Sequence, residues 1–321
     1  MPDNTVEAKY RGLKPKIADE LRSLENHYFR EDKPVPFKDG LILYPIIVRD
    51  LEVFSQCSSC LTLHKNDSPE GIGMTYLDFL AYKMQDKEEG PLWSWKFQKL
   101  CEIVFHISNG IKCTKCGRVI PYDSKEFKDF LQKITQVESN ESTDKSLACP
   151  ECGNLGYTEM IKFSSDPITK KNKLIINGQE ITSKEFDRLR QIILFQNFPD
   201  YRDDSWVDRS LRKDYETRLE LQRKTAGGAA TTLEDRVVAL SINTNYKFEE
   251  IWFMSIRKFT IALAMVDDLI NYKIMKTAVS SGFASLPKGQ TVEHWLYKKE
   301  KDMYGDHYAS LDAIKQQMSQ Q

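Results

Sequence analysis

The sequence is poor in histidine, has no basic surplus and contains none of the short glycine motifs that cradle phosphate. Its five histidines are scattered through 321 residues. No two have the HxxxH or HxxEH spacing that sets paired imidazoles on one helical face around a metal. No GxxxxGK[ST], GxGxxG or GxSxG occurs, so neither a nucleotide cradle nor a nucleophile elbow has sequence support. Lysine and arginine number 46 against 47 aspartate and glutamate, a formal net charge of −1. A general nucleic-acid binder usually carries a positive excess, and this balance argues against that class. The longest apolar runs, 41–48 and 261–266, fall far short of the roughly 20 residues that span a bilayer. Met1-Pro2-Asp3-Asn4 shows no charged-then-apolar signal pattern, so a soluble cytosolic protein without a membrane partner is expected. No repeat of fixed period is present.

Cysteine is what the sequence does have. There are seven: Cys57, Cys60, Cys101, Cys113, Cys116, Cys149 and Cys152. The odd count and CxxC spacings suit a reducing compartment better than a disulfide framework. Cys113-Thr-Lys-Cys116-Gly117 and Cys149-Pro-Glu-Cys152-Gly153 are two CxxCG motifs, with 32 residues between Cys116 and Cys149. Two residues between cysteines let one tight turn aim both sulfurs at a single ion. The following glycine accepts positive φ, which turns backbone amides toward the thiolates. Cys113, Cys116, Cys149 and Cys152 are therefore read as ligands of one structural Zn2+. Four thiolates close the coordination shell and leave no position for a catalytic water, so a catalytic zinc is disfavoured. Cys57-Ser-Ser-Cys60 differs: it lies on an expected helix, lacks the glycine and faces the apolar side, which points to core packing rather than a second metal or redox site. Cys101, four residues after Phe97, is read as core.

Hydrophobic residues make up 40% and charged residues 29%, enough to build a real core. Ile17, Leu21, Leu24 and Tyr28 share one face of an N-terminal helix over 5–30. The run 41–48 reads as extended and broken by Pro45, with Asp50 capping a helix over 51–61. Helices are expected to begin near Thr75 and Pro91, the latter burying Trp93, Phe97, Leu100 and Val104. Between the knuckles, Ser124 caps a helix carrying Phe127, Phe130, Leu131, Ile134 and Val137, followed by a polar stretch at 138–144. Asn177-Gly178 signals a hairpin, and Thr182 with Glu185 has capping-box spacing. A helix over 204–224 leads to Gly227-Gly228, a linker. Thr231 and Glu234 are read as a further capping box. A short helix at 248–252 precedes a long one from Ser255 to Gly282 with the stripe Phe259, Ala262, Leu263, Val266, Ile270 and Ile274. Residues 316–321 are polar and expected to fray. His106 is read as a satisfied core histidine beside the first knuckle, and Asp267-Asp268 as a solvated or salt-bridged helix edge.

The expected fold is α+β, predominantly α-helical, with a small β zinc-ribbon insertion and a helical C-terminal domain. Its parts are an N-terminal helix (1–33), a helical domain (34–110), the ribbon with its inserted helix and hairpin (111–182), a helical segment (183–224), a linker (225–232) and the C-terminal helical domain (233–321).

Two stretches outside the knuckles carry a family resemblance. One is Leu41-Ile-Leu-Tyr-Pro-Ile-Ile-Val-Arg-Asp50 through Phe54, then Cys60-Leu-Thr-Leu-His-Lys-Asn66 and Met74-Thr-Tyr-Leu-Asp-Phe-Leu80. The other is Tyr246, Phe248-Glu-Glu-Ile251, Met254-Ser-Ile256 and Lys258-Phe259, continuing to Asn271-Tyr-Lys-Ile274, Ala278, Ser281-Gly282 and His294-Trp295. Together, over about 35–85 and 232–300, they resemble the tail-assembly and baseplate-hub proteins encoded near the tape-measure gene of long-tailed and contractile-tailed bacteriophages. The resemblance implies a non-enzymatic chaperone or structural subunit with no catalytic residues. Its partners would be other tail or baseplate proteins, and its place the host cytoplasm or the virion tail. The cysteine insertion departs from shorter members of that class, and the oligomeric state stays open. The alternative is a zinc-ribbon nucleic-acid-binding regulator using Lys112, Lys115 and Arg118. These three are answered by Asp123, Glu126 and Glu151 nearby.

Overall fold

A computed structural model describes residues 9–10, 12–137, 147–165, 172–203, 207, 209–225, 231–286, 291–292 and 294–296. In chain order the elements are α1 (Pro15–His27), β1 (Val35–Lys38), β2 (Leu41–Leu43), α2 (Leu51–Cys57), α3 (Tyr76–Met84), α4 (Gly90–Phe105), β3 (Gly110–Cys113), β4 (Val119–Pro121), α5 (Lys125–Val137) and β5 (Tyr157–Glu159). There follow β6 (Ile161–Ser165), β7 (Asn172–Ile176), β8 (Gln179–Ile181), α6 (Ser183–Asn197), α7 (Arg209–Thr225), α8 (Leu233–Asn243), α9 (Phe248–Trp252) and α10 (Ile256–Ser280). The fold is α+β and mostly helical, with small antiparallel sheets and a helical C-terminus. Of the expected linker at 225–232, residues 226–230 fall outside the described residues, as do the polar run at 138–144 and the last residues.

The chain divides into two compact units. One holds residues 20–197 and the other holds 1–19 with 198–321. The core of the first is built by α2, α3, α4 and α6. Phe54, Cys57, Cys60, Leu61 and Leu77 are fully buried in it. Cys101 is buried too, and burial pushes its thiol well above the ordinary range. The Cys60 thiol is pushed up to about 12 for the same reason. Thiols held neutral in this way behave as small apolar side chains. Helix α6 is buried at every position from Leu189 to Asn197, and two of its polar residues, Arg190 and Asn197, anchor it to neighbouring backbone. Arg190 donates to the Leu61 carbonyl at 3.0 Å and stacks 3.8 Å over the Tyr76 ring. Asn197 accepts from the Ile46 amide at 2.9 Å.

Among the described residues, three sheets serve this unit. β1 and β2 form a two-stranded pair, with a bulge between Pro36 and Lys38 where proline cannot donate. The cysteine ribbon is β4-β3-β5, and a meander β6-β7-β8 follows it. Asn177 (φ 49°) and Gly178 (φ 82°) make the turn between β7 and β8, as the Asn-Gly pair requires. The meander is pinned to the helices at two points. Asp78 of α3 accepts from Asn172 Nδ2 at 2.9 Å, and Phe97 of α4 meets the edge of Phe163 at 5.2 Å.

Several local expectations shift. Asp50 precedes α2 but makes no side-chain cap, because a 3-10 turn at Val48–Asp50 already occupies the helix start. The helix ends at Cys57, and Ser58–Cys60 continues as 3-10. The run 41–48 is strand only to Leu43. The second capping box moves by one residue: Thr232 accepts from the Asp235 amide at 3.1 Å, and Asp235 accepts from the Thr232 amide at 2.9 Å. Thr182 and Glu185 form their box as expected. In the second unit, Val237 and Leu240 of α8, Ile251 of α9, and Ile256 and Phe259 of α10 make a small helical core. Ser255 caps α10 through the Lys258 amide, and Gly282 (φ 76°) ends it. No helix among the described residues is long and apolar enough to cross a membrane.

Candidate metal centre

Cys113 ends β3 and begins a turn that closes on itself. Its amide donates to the Arg118 carbonyl at 2.8 Å, and the Gly117 amide returns to the Cys113 carbonyl at 3.1 Å. The second knuckle repeats the pattern. The Cys149 amide donates to the Asn154 carbonyl at 2.8 Å, and the Gly153 amide to the Cys149 carbonyl at 2.8 Å. Gly117 (φ 77°) and Gly153 (φ 68°) take the left-handed conformation that each turn needs. Two identical loops from distant parts of the sequence thus present their sulfurs to one point.

The four Sγ atoms lie within 4.8 Å of one another. Cys113 and Cys152 sulfurs are 3.6 Å apart, and those of Cys116 and Cys149 are 3.5 Å apart. A tetrahedron of zinc–thiolate bonds of about 2.3 Å has sulfur–sulfur edges of about 3.8 Å. The observed spacing and the all-thiol donor set fit such an ion. Cys113 and Cys149 are buried, Cys152 is half-buried and Cys116 is exposed, so one corner of the site faces solvent.

Amide donors prepare the thiolates. The Cys113 thiol is lowered to about 6, chiefly by the Cys116 amide, with help from the Lys115 amide and the Asn154 side chain, against the opposing effect of burial. Burial pushes the Cys149 thiol up, but the amides of Glu151 and Cys152 outweigh it and the net shift is downward. Cys116 moves the other way, to about 12. The Arg118 amide lowers it, but burial and hydrogen bonding with the other three thiols win. Four thiolates cannot share one point without a cation, so charge collects on some and is refused by others. A divalent ion would remove that conflict.

Asn154 is a member of the site that cysteine spacing does not disclose. Its Nδ2 donates to Cys113 Sγ at 3.6 Å, to Thr114 Oγ1 at 2.9 Å and to the Gly156 carbonyl at 3.0 Å, tying one knuckle to the other. Helix α5 also finds its place. Phe127 meets the edge of Tyr122 at 4.6 Å and Phe130 meets Tyr157 at 5.2 Å, so the ribbon itself covers these rings. The basic residues around the knuckles are largely committed. Arg118 bonds both carboxylate oxygens of Glu126 at 3.0 Å and Glu151 at 3.2 Å, and Lys112 donates to Asn177 Oδ1 at 3.0 Å. Lys115 is exposed. His106 is neither a ligand nor a core residue: it is exposed, takes φ 52° at the end of α4, and stacks on Tyr44 at 4.0 Å.

The ribbon joins the body through Met160. Its amide donates to the Gly110 carbonyl at 2.9 Å, and its carbonyl accepts from the Asn177 amide at 2.7 Å. The ribbon is therefore hydrogen-bonded to the neighbouring sheet through Met160.

Residues 222–300 match the family model described as YomV second domain. No curated protein and no solved structure matches the chain. The chain thus carries a YomV second domain in its helical C-terminal unit and, outside the matched span, a four-cysteine cluster able to hold a metal.

Proposed function

We propose that the chain is a non-enzymatic tail or baseplate-hub assembly protein of a long-tailed or contractile-tailed phage, stabilised by a structural zinc. It acts by binding other tail proteins in the host cytoplasm or as part of the tail. The resemblance at about 35–85 and 232–300 supports this, and the second of these stretches lies within the matched domain.

The observation that carries the reading is the uncovered apolar length of α10. Among its described residues beyond Phe259 none is buried. Ile270 and Ile274, on the Phe259 side, are 38% and 59% exposed. An amphipathic helix extending past its own small core is the form used for docking into a partner's groove. The cysteine ribbon, by contrast, has the closed donor set of a staple. A nucleic-acid role draws less support, because Arg118 and Lys112 are held by groups of this chain.

Affinity capture of the tagged chain from infected cells tests the proposal, together with micrographs of a deletion phage. Tail or hub components should be retained, and the deletion should give defective tails. Normal tails with no tail component retained would refute it. Metal analysis should return about one zinc per chain.

A further inference from the structure

The two knuckles are joined by more than the ion their sulfurs can hold. Asn154 directly follows the second knuckle, and its carbonyl closes that turn by accepting from the Cys149 amide at 2.8 Å. Its side chain reaches the other knuckle. Nδ2 donates to Cys113 Sγ at 3.6 Å, to Thr114 Oγ1 at 2.9 Å and to the Gly156 carbonyl at 3.0 Å. A thiolate and a carbonyl only accept, so the nitrogen of the side-chain amide, and not its oxygen, must face them.

Gly156 is the fixed point of this clasp. Its carbonyl also accepts from the Thr114 amide at 3.0 Å and from Thr114 Oγ1 at 3.1 Å. A Cβ at position 156 would lie 2.6 Å from Thr114 Oγ1 and 3.2 Å from Asn154 Nδ2, so the clasp closes only over a glycine. The sulfur it reaches belongs to Cys113, which is 1% exposed, whereas Cys116 is exposed. The side-chain donor therefore acts at a buried corner of the site, where water does not replace a hydrogen bond that is lost. A thiolate bound to a cation keeps lone pairs that still accept, and donors to them fix the direction of the sulfur and tune its bond to the metal.

We propose that Asn154 is a positioning residue of the metal centre. Its N–H···S bond holds the Cys113 thiolate toward the ion, and its bonds to Thr114 and Gly156 hold the two knuckles in register. This rests on the reading of the four cysteines as one metal site. Groups that orient a metal ligand from behind typically contribute about 10–100-fold to affinity.

Cobalt(II) titration of the full chain, read by the thiolate-to-metal charge-transfer band, tests the role. Asn154→Ala leaves the backbone bonds of the knuckle in place and should weaken cobalt binding about 10–100-fold. It should also move the band to longer wavelength, because a sulfur that loses a donor gives up its electrons at lower energy. Asn154→Asp has nearly the parent's shape but sets a carboxylate oxygen against the thiolate and the Gly156 carbonyl, so it should bind cobalt more weakly still. Thr114→Val keeps the N–H···S bond and should leave the band unmoved. Amide protection of α3, α4 and α6 equal to the parent's reports an intact body in each variant. A parent that takes up no cobalt would overturn the metal site and this role together. Parent-like affinity and band in Asn154→Ala would overturn the role alone. So would tighter binding by Asn154→Asp than by Asn154→Ala, which a space-filling role requires, or an equal band shift in Thr114→Val.

Discussion

Replacing Cys149 with serine should unfasten the ribbon while leaving the helices beneath it folded. The ribbon strands β3, β4 and β5 are three or four residues each. Their buried aliphatic side chains are Ile111 and Ile120. Burying two such side chains stabilises by roughly 3–6 kcal/mol, whereas a structural zinc contributes about 10–16 kcal/mol in small zinc domains. The metal then contributes about three times as much as the apolar burial. A serine hydroxyl does not ionise at neutral pH and cannot replace the thiolate. Hydrogen exchange reads the result directly, because four knuckle amides report on it: Cys113, Gly117, Cys149 and Gly153, each bonded at 2.8–3.1 Å. Their exchange should rise at least about a hundredfold, equal to roughly 2.7 kcal/mol, while amides of α3, α4 and α6 keep their protection. If the parent contains no metal and the four amides stay as protected in the variant as in the parent, the staple reasoning is wrong.

Gly110→Ala should loosen the same ribbon from another side. A Cβ there would come within 2.2 Å of the Ile120 carbonyl oxygen, so β3 and β4 must separate. A cost of about 1–3 kcal/mol and faster metal transfer to a chromogenic chelator are expected. Phe97→Ala removes a ring that is 2% exposed and packed against Phe163 and Phe186, and urea unfolding should show a loss of about 3–5 kcal/mol. Glu185→Gln tests a charge. Burial raises the Glu185 carboxyl, but Lys38 and Thr182 outweigh it and the net value is below 4.5. A lowered carboxylate stabilises fully above its ordinary value and loses that contribution as pH falls through the folded one. The variant should therefore be less stable by about 1 kcal/mol at pH 7 and converge on the parent below pH 4.5 in thermal melts.

Much of the local structure was legible because its causes are local. The Asn177-Gly178 turn, the Thr182–Glu185 box, the helix start at Ser255 and the Gly282 stop each depend on a side chain and backbone atoms within a few residues. Misreadings arose where neighbours competed. Thr231 and Thr232 both offer a cap hydroxyl, and Asp235 rather than Glu234 completed the box. Asp50 lost its capping role to the preceding 3-10 turn. The core reading of His106 failed because apolar periodicity ends at Phe105, and the histidine then turns outward at positive φ onto Tyr44.

By itself the sequence determined that the protein has two matched knuckles, since CxxCG encodes a turn and its ligands together. It also determined that buried Cys57, Cys60 and Cys101 pack as apolar side chains, because they follow the helical stripe. Only the tertiary structure decided that the knuckles meet. That depends on β5 returning from beyond the second knuckle to pair with β3, and no local pattern specifies a strand's distant partner. It likewise decided that Phe127 and Phe130 rest on Tyr122 and Tyr157, that Asn154 bridges the loops, and that Arg118 is spent on Glu126 and Glu151. An amphipathic face shows that a surface must be covered. Which surface covers it is a property of chain topology, and topology arises from contacts far apart in sequence.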